Sequence, residues 1–300
     1  MSSCFHGQDK GGPYFEGWYF KCQTKAGKAI ALIPAFHIDA GNRHSASLQV
    51  IANSGVWWLE YPVEAFSASQ TQLRIQIGSA SFSEAGISLK IEQPEISLHG
   101  RLDFGSFLPL KSDIMGPFRF LSNMECAHGV ISMRHFLRGT LTLNGELHDF
   151  TGGTGYIETD RGRAFPSAYL WTQCSWPLGS LMLSVAAIPL AGIHFTGCIC
   201  ALIHNGKEYR LATYRGVRVE RWSNGGALIR QGKYRLEVEL LEEQPWPLRA
   251  PVNGAMERSI HESLCAKLRC RFWTGDILLF DQIDCTGSFE YSNPEVDRRV

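Results

Sequence analysis

Hydrophobic and polar residues alternate over short runs along most of the chain. In "SASLQVIA", "LRIQIG" and "KYRLEVELLE" every second side chain is apolar, and Gly, Asn, Pro or Asp bound such runs. A period of two is typical of a β-strand with one buried face. The stretch from 258 to 268 is the best helical candidate, and it also fits a strand. The pattern therefore predicts an all-β chain.

Two Asn-Gly pairs, Asn144-Gly145 and Asn205-Gly206, lie between β-prone segments and predict tight hairpins. Many short strands joined by hairpins favour antiparallel β-barrels or sandwiches, whose interior or mouth can hold an apolar ligand. Two glycines and two prolines interrupt the alternation between positions 105 and 117. We therefore predict two antiparallel β-barrel or sandwich domains, residues 1–120 and residues 121–300.

The stretch from 164 to 206 contains no Asp, Glu, Lys or Arg and is long enough to suggest a membrane span. Pro189 and Gly192 fall in its middle, and Ser184 and His194 interrupt its apolar character. These residues favour two buried strands joined by a turn over a spanning helix. The N-terminus has neither a basic region nor an apolar region of the kind found in secretory signals, so we expect a cytoplasmic protein.

Composition narrows the classes of partner. Lys+Arg and Asp+Glu each total 29, and no run of like charge forms a patch, which argues against binding to nucleic acid. The nine cysteines are irregularly spaced, as expected of reduced thiols rather than a disulfide framework. Cys198 and Cys200 lack a second pair at zinc spacing, so no metal site is predicted. No feature of the sequence predicts a protein partner.

The run "GPYFEGWYFK" places one carboxylate, Glu16, among five aromatic residues. In a strand, Tyr14, Glu16, Trp18 and Phe20 would share one face. A carboxylic acid that faces an apolar chamber loses hydration in its charged form, so its pKa rises and it can act as an acid near neutral pH. Alternatively, Glu16 pairs with a cation or caps backbone amides and only holds the first strand in place.

A second group of acid, base, aromatic and amide side chains follows. "MECAHGVISMRH" carries Glu125 and His128, and Glu158 and Asp160 share a face if "GYIETD" is extended. On the next predicted strand three side chains share a face: Tyr169, Trp171 and Gln173. Such a mixture suits a site that handles a cationic, lipophilic intermediate. The same residues could also be ordinary loop salt bridges and core rings.

Three segments together resemble the signature blocks of the tocopherol cyclase family. They are "FHGQDKGGPYFEGWYFK", "MECAHGVISMRHFLRGTLTLNG" and "GGTGYIETDRGRAFPSAYLWTQC", and a weaker similarity extends through "ERSIHESLCAKLRCRF". The resemblance implies two lipocalin-like β-barrel domains, related to those of carotenoid hydratases. It also implies a reaction that needs no metal or redox cofactor.

The reaction implied by the resemblance is ring closure on a prenylated quinol or related isoprenoid. A general acid protonates a double bond, and the phenol oxygen attacks while a base removes its proton. The implied catalytic candidates are Glu16 and Asp160, followed by His128 and Glu158. The implied substrate contacts are Trp18, Tyr19, Glu125, Arg161, Tyr169, Trp171 and Gln173. A hydrophobic small-molecule substrate could also draw the protein to a membrane surface, although no amphipathic anchor is visible.

The third block departs from the family pattern at Thr159, where Lys is usual, and at Arg161, where Trp is usual. A cation thus replaces a ring, and Arg161 could orient a carboxylate or phosphate or could pair with Asp160. A different class of function also fits: a non-catalytic, lipocalin-like carrier in which Glu16 has a structural role. His37 and the other isolated histidines are interpreted as structural or surface residues.

Overall fold

Antiparallel strands make up most of the computed structural model, which describes residues 4–121, 124–190 and 193–293. The all-β prediction is confirmed, and the ambiguous stretch from 258 to 268 lies inside a strand. Short 3₁₀ helices occur at Val63–Ala65, Gly116–Phe120 and Thr213–Arg215. Within the described ranges, no helix combines the length and apolar character needed to cross a membrane.

The first sheet contains twelve strands in the described part of the chain. Their order is β4-β3-β2-β1-β12-β10-β9-β8-β7-β6-β5, and β11 pairs with β10 outside this path. The strands are β1 Tyr14–Gln23, β2 Ala29–Ile38, β3 His44–Ala52, β4 Gly55–Tyr61, β5 Phe66–Ala68, β6 Arg74–Ile77, β7 Ala80–Ser83, β8 Gly86–Gln93, β9 Ile96–Phe104, β10 Cys126–Leu143, β11 Glu146–Asp149 and β12 Thr154–Gly162.

The second sheet contains ten strands among the residues described. Their order is β16-β15-β14-β13-β22-β21-β19-β18-β17, and β20 pairs with β21 outside this path. The strands are β13 Tyr169–Trp176, β14 Gly179–Leu190, β15 Ile193–His204, β16 Lys207–Ala212, β17 Arg218–Ser223, β18 Gly226–Gln231, β19 Tyr234–Glu242, β20 Pro245–Val252, β21 Ala255–Thr274 and β22 Ile277–Ser292.

The two hairpins predicted at Asn-Gly pairs are confirmed. Asn144 and Asn205 both adopt a left-handed φ of 49°, and their Asn-Gly pairs close the β10–β11 and β15–β16 hairpins. The long uncharged stretch forms two paired strands, β14 and β15, as predicted. Gly192, which the sequence placed in their turn, lies outside the described residues.

Each sheet buries one face in its own apolar core. In the first sheet Trp18, Phe20 and Leu48 are at most 1% exposed and belong to one hydrophobic cluster. In the second sheet Leu183 and Phe272 are fully buried in another. These packed faces follow the period-two alternation seen in the sequence, because successive side chains of a strand point to opposite sides.

The chain divides into two compact units. The first comprises Met1–Leu110, Glu125–Phe165 and Arg249–Arg258, and the second comprises Lys111–Met124, Pro166–Leu248 and Ser259–Val300. This division differs from the predicted boundary near residue 120, since β10 and β12 pair with strands of the first sheet. Strand pairing between distant segments, which local composition does not reveal, causes the difference.

Candidate active site

Three neighbouring strands of the first unit bring the charged candidates together. Strand β12 lies between β1 and β10, so its residues have a cross-strand neighbour on each side. Asp160 lies opposite Gly17 on β1 and opposite His128 on β10, and Glu158 lies opposite Tyr19. Residues directly opposite each other share a face of the sheet. The register therefore gathers His128, Glu158 and Asp160 on one face.

The imidazole of His128 lies between two carboxylates. Its Nδ1 is 2.9 Å from Asp160 Oδ1, a hydrogen-bond distance. Its Nε2 is 3.4 Å from Glu158 Oε2, within ion-pair range, but this contact does not meet hydrogen-bond geometry. The side chain of Asp160 is 22% exposed, whereas those of His128 and Glu158 are 10% and 6% exposed. The group is largely dry and opens to solvent at Asp160.

Burial and the neighbouring charges shift the pKa of His128 in opposite directions. Burial by itself lowers its pKa, but the carboxylates of Asp160 and Glu158 outweigh this effect and hold the pKa well above its ordinary value. For Glu158, burial raises the pKa and the charge of Asp160 adds to the rise, while His128 opposes it. The arrangement thus favours an imidazolium on His128 and retention of a proton on Glu158.

Two further side chains complete the cluster. Tyr156 donates its hydroxyl hydrogen bond to Glu158 Oε2, and the Cys126 thiol lies 3.4 Å from Asp160 Oδ1. Burial, followed by the neighbouring carboxylate, raises the pKa of both Tyr156 and Cys126, so both remain protonated donors. Sequence reasoning missed them, although Tyr156 precedes Glu158 by two positions and alternation places it on the same face.

The same three residues could hold a metal ion, because ligand atoms of His128, Glu158 and Asp160 lie within 4.8 Å of one another. The two carboxylates, however, face different ring nitrogens of one imidazole. An ion bound between Nε2 and Glu158 would leave Asp160 as a hydrogen-bond partner of Nδ1 rather than a ligand. The geometry is simpler to explain as an imidazolium whose Nδ1 is hydrogen-bonded to Asp160 and whose Nε2 lies near the carboxyl group of Glu158.

Glu16 lies on the opposite face of strand β1. It is fully buried and accepts three hydrogen bonds at 2.8 Å, from the His6 backbone N–H, the His6 ring and the Tyr14 hydroxyl. Its cross-strand neighbour is Arg161, whereas that of Asp160 is Gly17. The register therefore does not bring Glu16 and Asp160 together as the expected acid–base pair. The geometry instead fits the alternative in which Glu16 holds the first strand.

The remaining candidates of the first unit divide between the two faces of the sheet. Trp18 is 1% exposed in the apolar core, and Tyr19 lies beside Glu158. Glu125 forms an ion pair with Arg163, with 3.4 Å between Nη2 and Oε1. Half-buried Arg161 lies on the face of Glu16, and among the described residues no ion pair joins it to Asp160.

Tyr169, Trp171 and Gln173 belong to the second unit and are buried on one face of β13. Tyr169 donates a hydrogen bond to Glu290, which lies opposite Trp171 in the register. Gln173 donates to Ser175 Oγ over 3.0 Å. The predicted alternation is therefore observed. Sequence reasoning missed the buried acid Glu290, because β22 is distant in the chain.

Comparisons with known proteins identify the class of fold. No protein-family model and no curated protein sequence matches the chain. Among solved structures, the chain is similar to CghA crystallised with Sch210972, at 13% identity and a TM-score of 0.59, covering 94% of this chain and 88% of that one. It is also similar to kievitone hydratase from Nectria haematococca, at 10% identity and a TM-score of 0.52, covering 97% and 94%. At these identities the likeness establishes the all-β, lipocalin-like fold.

Proposed function

We propose that the chain is an acid–base enzyme of the cyclase or hydratase type that acts on a lipophilic alkene. The specific reaction proposed resembles that of tocopherol cyclase: ring closure on a prenylated quinol or related isoprenoid without a cofactor. One observation carries the proposal, namely that the two ring nitrogens of His128, whose side chain is 10% exposed, face two different carboxyl groups. This arrangement can supply a proton, accept a proton and pass a proton between the two positions.

Each carboxyl is assigned one role. Glu158 is the acid, because burial raises its pKa and favours the protonated form. It gives its proton to the alkene, and cation character develops on the substituted carbon. The phenol oxygen attacks that carbon, and Asp160, the most exposed member of the cluster, takes the phenolic proton. The number of protons in the substrate is unchanged, as an isomerisation requires.

His128 would restore the starting state after each turnover. Its Nε2 faces Glu158, which has lost a proton, and its Nδ1 faces Asp160, which has gained one. As an imidazolium it can give its Nε2 proton to Glu158, while Asp160, the most exposed member of the cluster, releases its proton to solvent and solvent returns one proton to the imidazole. Tyr156 stabilises the carboxylate form of Glu158 through its hydrogen bond during the cycle.

The fold comparison supports the type of chemistry rather than the substrate. Kievitone hydratase is, by its name, a hydratase. Hydration and cyclisation of an alkene can share the protonation step, and they differ in whether water or an internal hydroxyl attacks the cation. A non-catalytic carrier for a hydrophobic ligand remains the alternative, and it requires no proton transfer by Glu158 or Asp160.

The proposal is tested by incubating purified protein with prenylated quinols and linear isoprenoids. Cyclisation is detected as a new chromatographic peak of unchanged mass with loss of the quinol's redox response, whereas hydration adds the mass of water. Glu158→Gln and Asp160→Asn should lose at least about a hundredfold in rate, whereas Glu64→Gln, at an exposed position, should not. Binding without conversion across the panel would favour the carrier.

A further inference from the structure

Arginines from three strands lie side by side at one end of the second sheet. Arg218 is the first residue of β17 and lies opposite Arg230 on β18, and Arg230 lies opposite Arg235 on β19. Residues directly opposite each other share a face of the sheet. Because the three arginines belong to different strands, strand pairing assembles a positive patch that the sequence does not show as a run of like charge.

The same row continues into apolar residues. Arg235 lies opposite Trp273 on β21, and Trp273 lies opposite Leu278 on β22. The guanidinium carbon of Arg235 is 3.8 Å from the centroid of the Trp273 ring. Leu278 is 47% exposed, and Ile277, the residue before it, is 66% exposed. We call the five cross-strand neighbours the arginine row: Arg218, Arg230, Arg235, Trp273 and Leu278.

Two of the three arginines have no carboxylate partner. Arg230 Nε is 2.8 Å from Glu220 Oε1, but in the described part of the chain no ion pair includes Arg218 or Arg235. Like charges placed directly opposite each other in a sheet are destabilising. The row therefore contains a repulsion that a bound anion would relieve.

Farther along the same face the charges are matched. Glu237 pairs with both Arg221 and Arg271, with N···O distances of 3.2 Å and 3.0 Å. Arg269 pairs with Asp281 over 2.6 Å. The excess of positive charge on this face therefore belongs to the end of the sheet that carries the arginine row.

Two hairpin turns adjoin the row and carry one charge of each sign. Exposed Lys233 lies in the turn between β18 and β19, and exposed Asp276 lies in the turn between β21 and β22. The backbone N–H of Gly275 donates a hydrogen bond to the Lys233 carbonyl over 2.7 Å, so the two turns are in contact. The row, its ion-pair partner and the turns together carry four cations against two carboxylates: Arg218, Arg230, Lys233 and Arg235 against Glu220 and Asp276.

We propose that the arginine row docks on an anionic lipid surface, with the guanidinium groups at the lipid phosphates and with Ile277 and Leu278 entering the headgroup region. Charge complementarity identifies the anion, and the exposed aliphatic side chains beside Trp273 identify it as a lipid surface. Trp and aliphatic side chains suit the boundary between headgroups and acyl chains. A nucleic acid would use the cations but would leave Ile277 and Leu278 without a role. This surface belongs to the second unit, and its binding does not depend on the proposed reaction.

The test measures co-sedimentation of the purified full chain with vesicles in the absence of substrate. One set of vesicles is phosphatidylcholine alone, and the other is an equal mixture of phosphatidylcholine and phosphatidylserine. We expect binding to the mixed vesicles only, weakening as salt is added. Each Arg near an anionic membrane contributes about fivefold to binding, so the double variant Arg218→Gln/Arg235→Gln should bind about twentyfold more weakly. Arg218→Lys/Arg235→Lys keeps the charge and should keep most of the binding.

Arg74→Gln/Arg138→Gln is the matched control, since it removes the same charge from two exposed positions of the first unit. It should weaken binding less than about twofold. Ile277→Ser/Leu278→Ser should weaken binding about tenfold by removing the apolar contact. Leu147→Ser/Leu178→Ser, at positions that are 65% and 63% exposed, is its control and should not weaken binding. Circular dichroism confirms the folding of each variant.

Equal binding to both kinds of vesicle, or binding to neither, overturns the inference. It is also overturned if the two arginine pairs lose the same affinity, because the positive charge would then act without regard to its position. Duplex DNA that binds more tightly than the mixed vesicles, and that is lost in Arg218→Gln/Arg235→Gln, would assign the row to nucleic acid instead.

Discussion

The environment of Glu16 predicts a large loss of stability and little change in catalysis on its replacement. Its buried carboxylate accepts three hydrogen bonds, two at Oε2 and one at Oε1. Hydrogen bonds to charged groups contribute about 1.5–3 kcal/mol each, and buried donors left without partners add a penalty. Glu16→Ala removes all three acceptors and should lower the free energy of unfolding by about 3–5 kcal/mol. Glu16→Gln keeps one oxygen for two donors and should lose about 1–3 kcal/mol.

The assay compares urea unfolding with turnover for Glu16→Gln and Glu158→Gln. We expect opposite patterns: Glu16→Gln should lose stability but keep most of its rate per folded molecule, and Glu158→Gln should lose its rate. Exposed Glu64→Gln serves as the control for the chemical change itself. A fully folded Glu16→Gln protein that is inactive, or one within about 0.5 kcal/mol of wild type, would refute the structural role.

Three further predictions concern stability. Because the carboxylates of Asp160 and Glu158 raise the pKa of His128 well above its ordinary 6.5, the stability that its protonated ring contributes is complete below pH 6.5 and is lost as pH rises through the raised pKa. The difference in unfolding free energy between the wild-type protein and His128→Asn should therefore shrink as pH rises above about 6.5. Buried Arg210 donates hydrogen bonds to two carbonyls, a hydroxyl and a carboxylate. Arg210→Met should therefore lower the free energy of unfolding by about 3–5 kcal/mol. Arg215→Met, at an exposed position, should not lower it. Gly153→Ala would place its Cβ 2.0 Å from a backbone oxygen of β1. It should lower the free energy of unfolding, measured by urea titration, by about 1–3 kcal/mol. Gly11→Ala is the control, because its Cβ would meet nothing nearer than 3.8 Å.

Alternation along single strands could be predicted from the sequence, and so could its local consequences. It placed Glu16 with Tyr14 and Trp18, and it placed Glu158 with Asp160. Pairing between strands could not be predicted in the same way, because a period of two says nothing about which strand lies alongside or in what register. The contact of His128 with both carboxylates depends on the pairing of β10 with β12. No local pattern in either segment specifies it.

The separation of Arg161 from Asp160, by contrast, follows from alternation within one strand. From the sequence, a cation next to Asp160 raised the prospect of a neutralising ion pair. In the structure Arg161 lies opposite Glu16, on the other face of the sheet. Consecutive residues of a strand point to opposite faces of the sheet, so the side chains of Asp160 and Arg161 are kept apart. The expected identity of the acid changes from Glu16 to Glu158 because the register of β1 with β12 places Gly17, and not Glu16, opposite Asp160.

Register also decides what Asp160 has beside it. The apolar side chains of Trp18 and Phe20 face the core of the first unit, which fixes the face of every residue in β1. A slip of one residue would reverse all of these faces and place Glu16 rather than Gly17 next to Asp160. The packing of Trp18 and Phe20 in the core on one face of the sheet therefore keeps Gly17 next to Asp160 on the other face. The proposed chemistry needs a residue without a side chain there, since a substrate must approach Asp160 to transfer its proton.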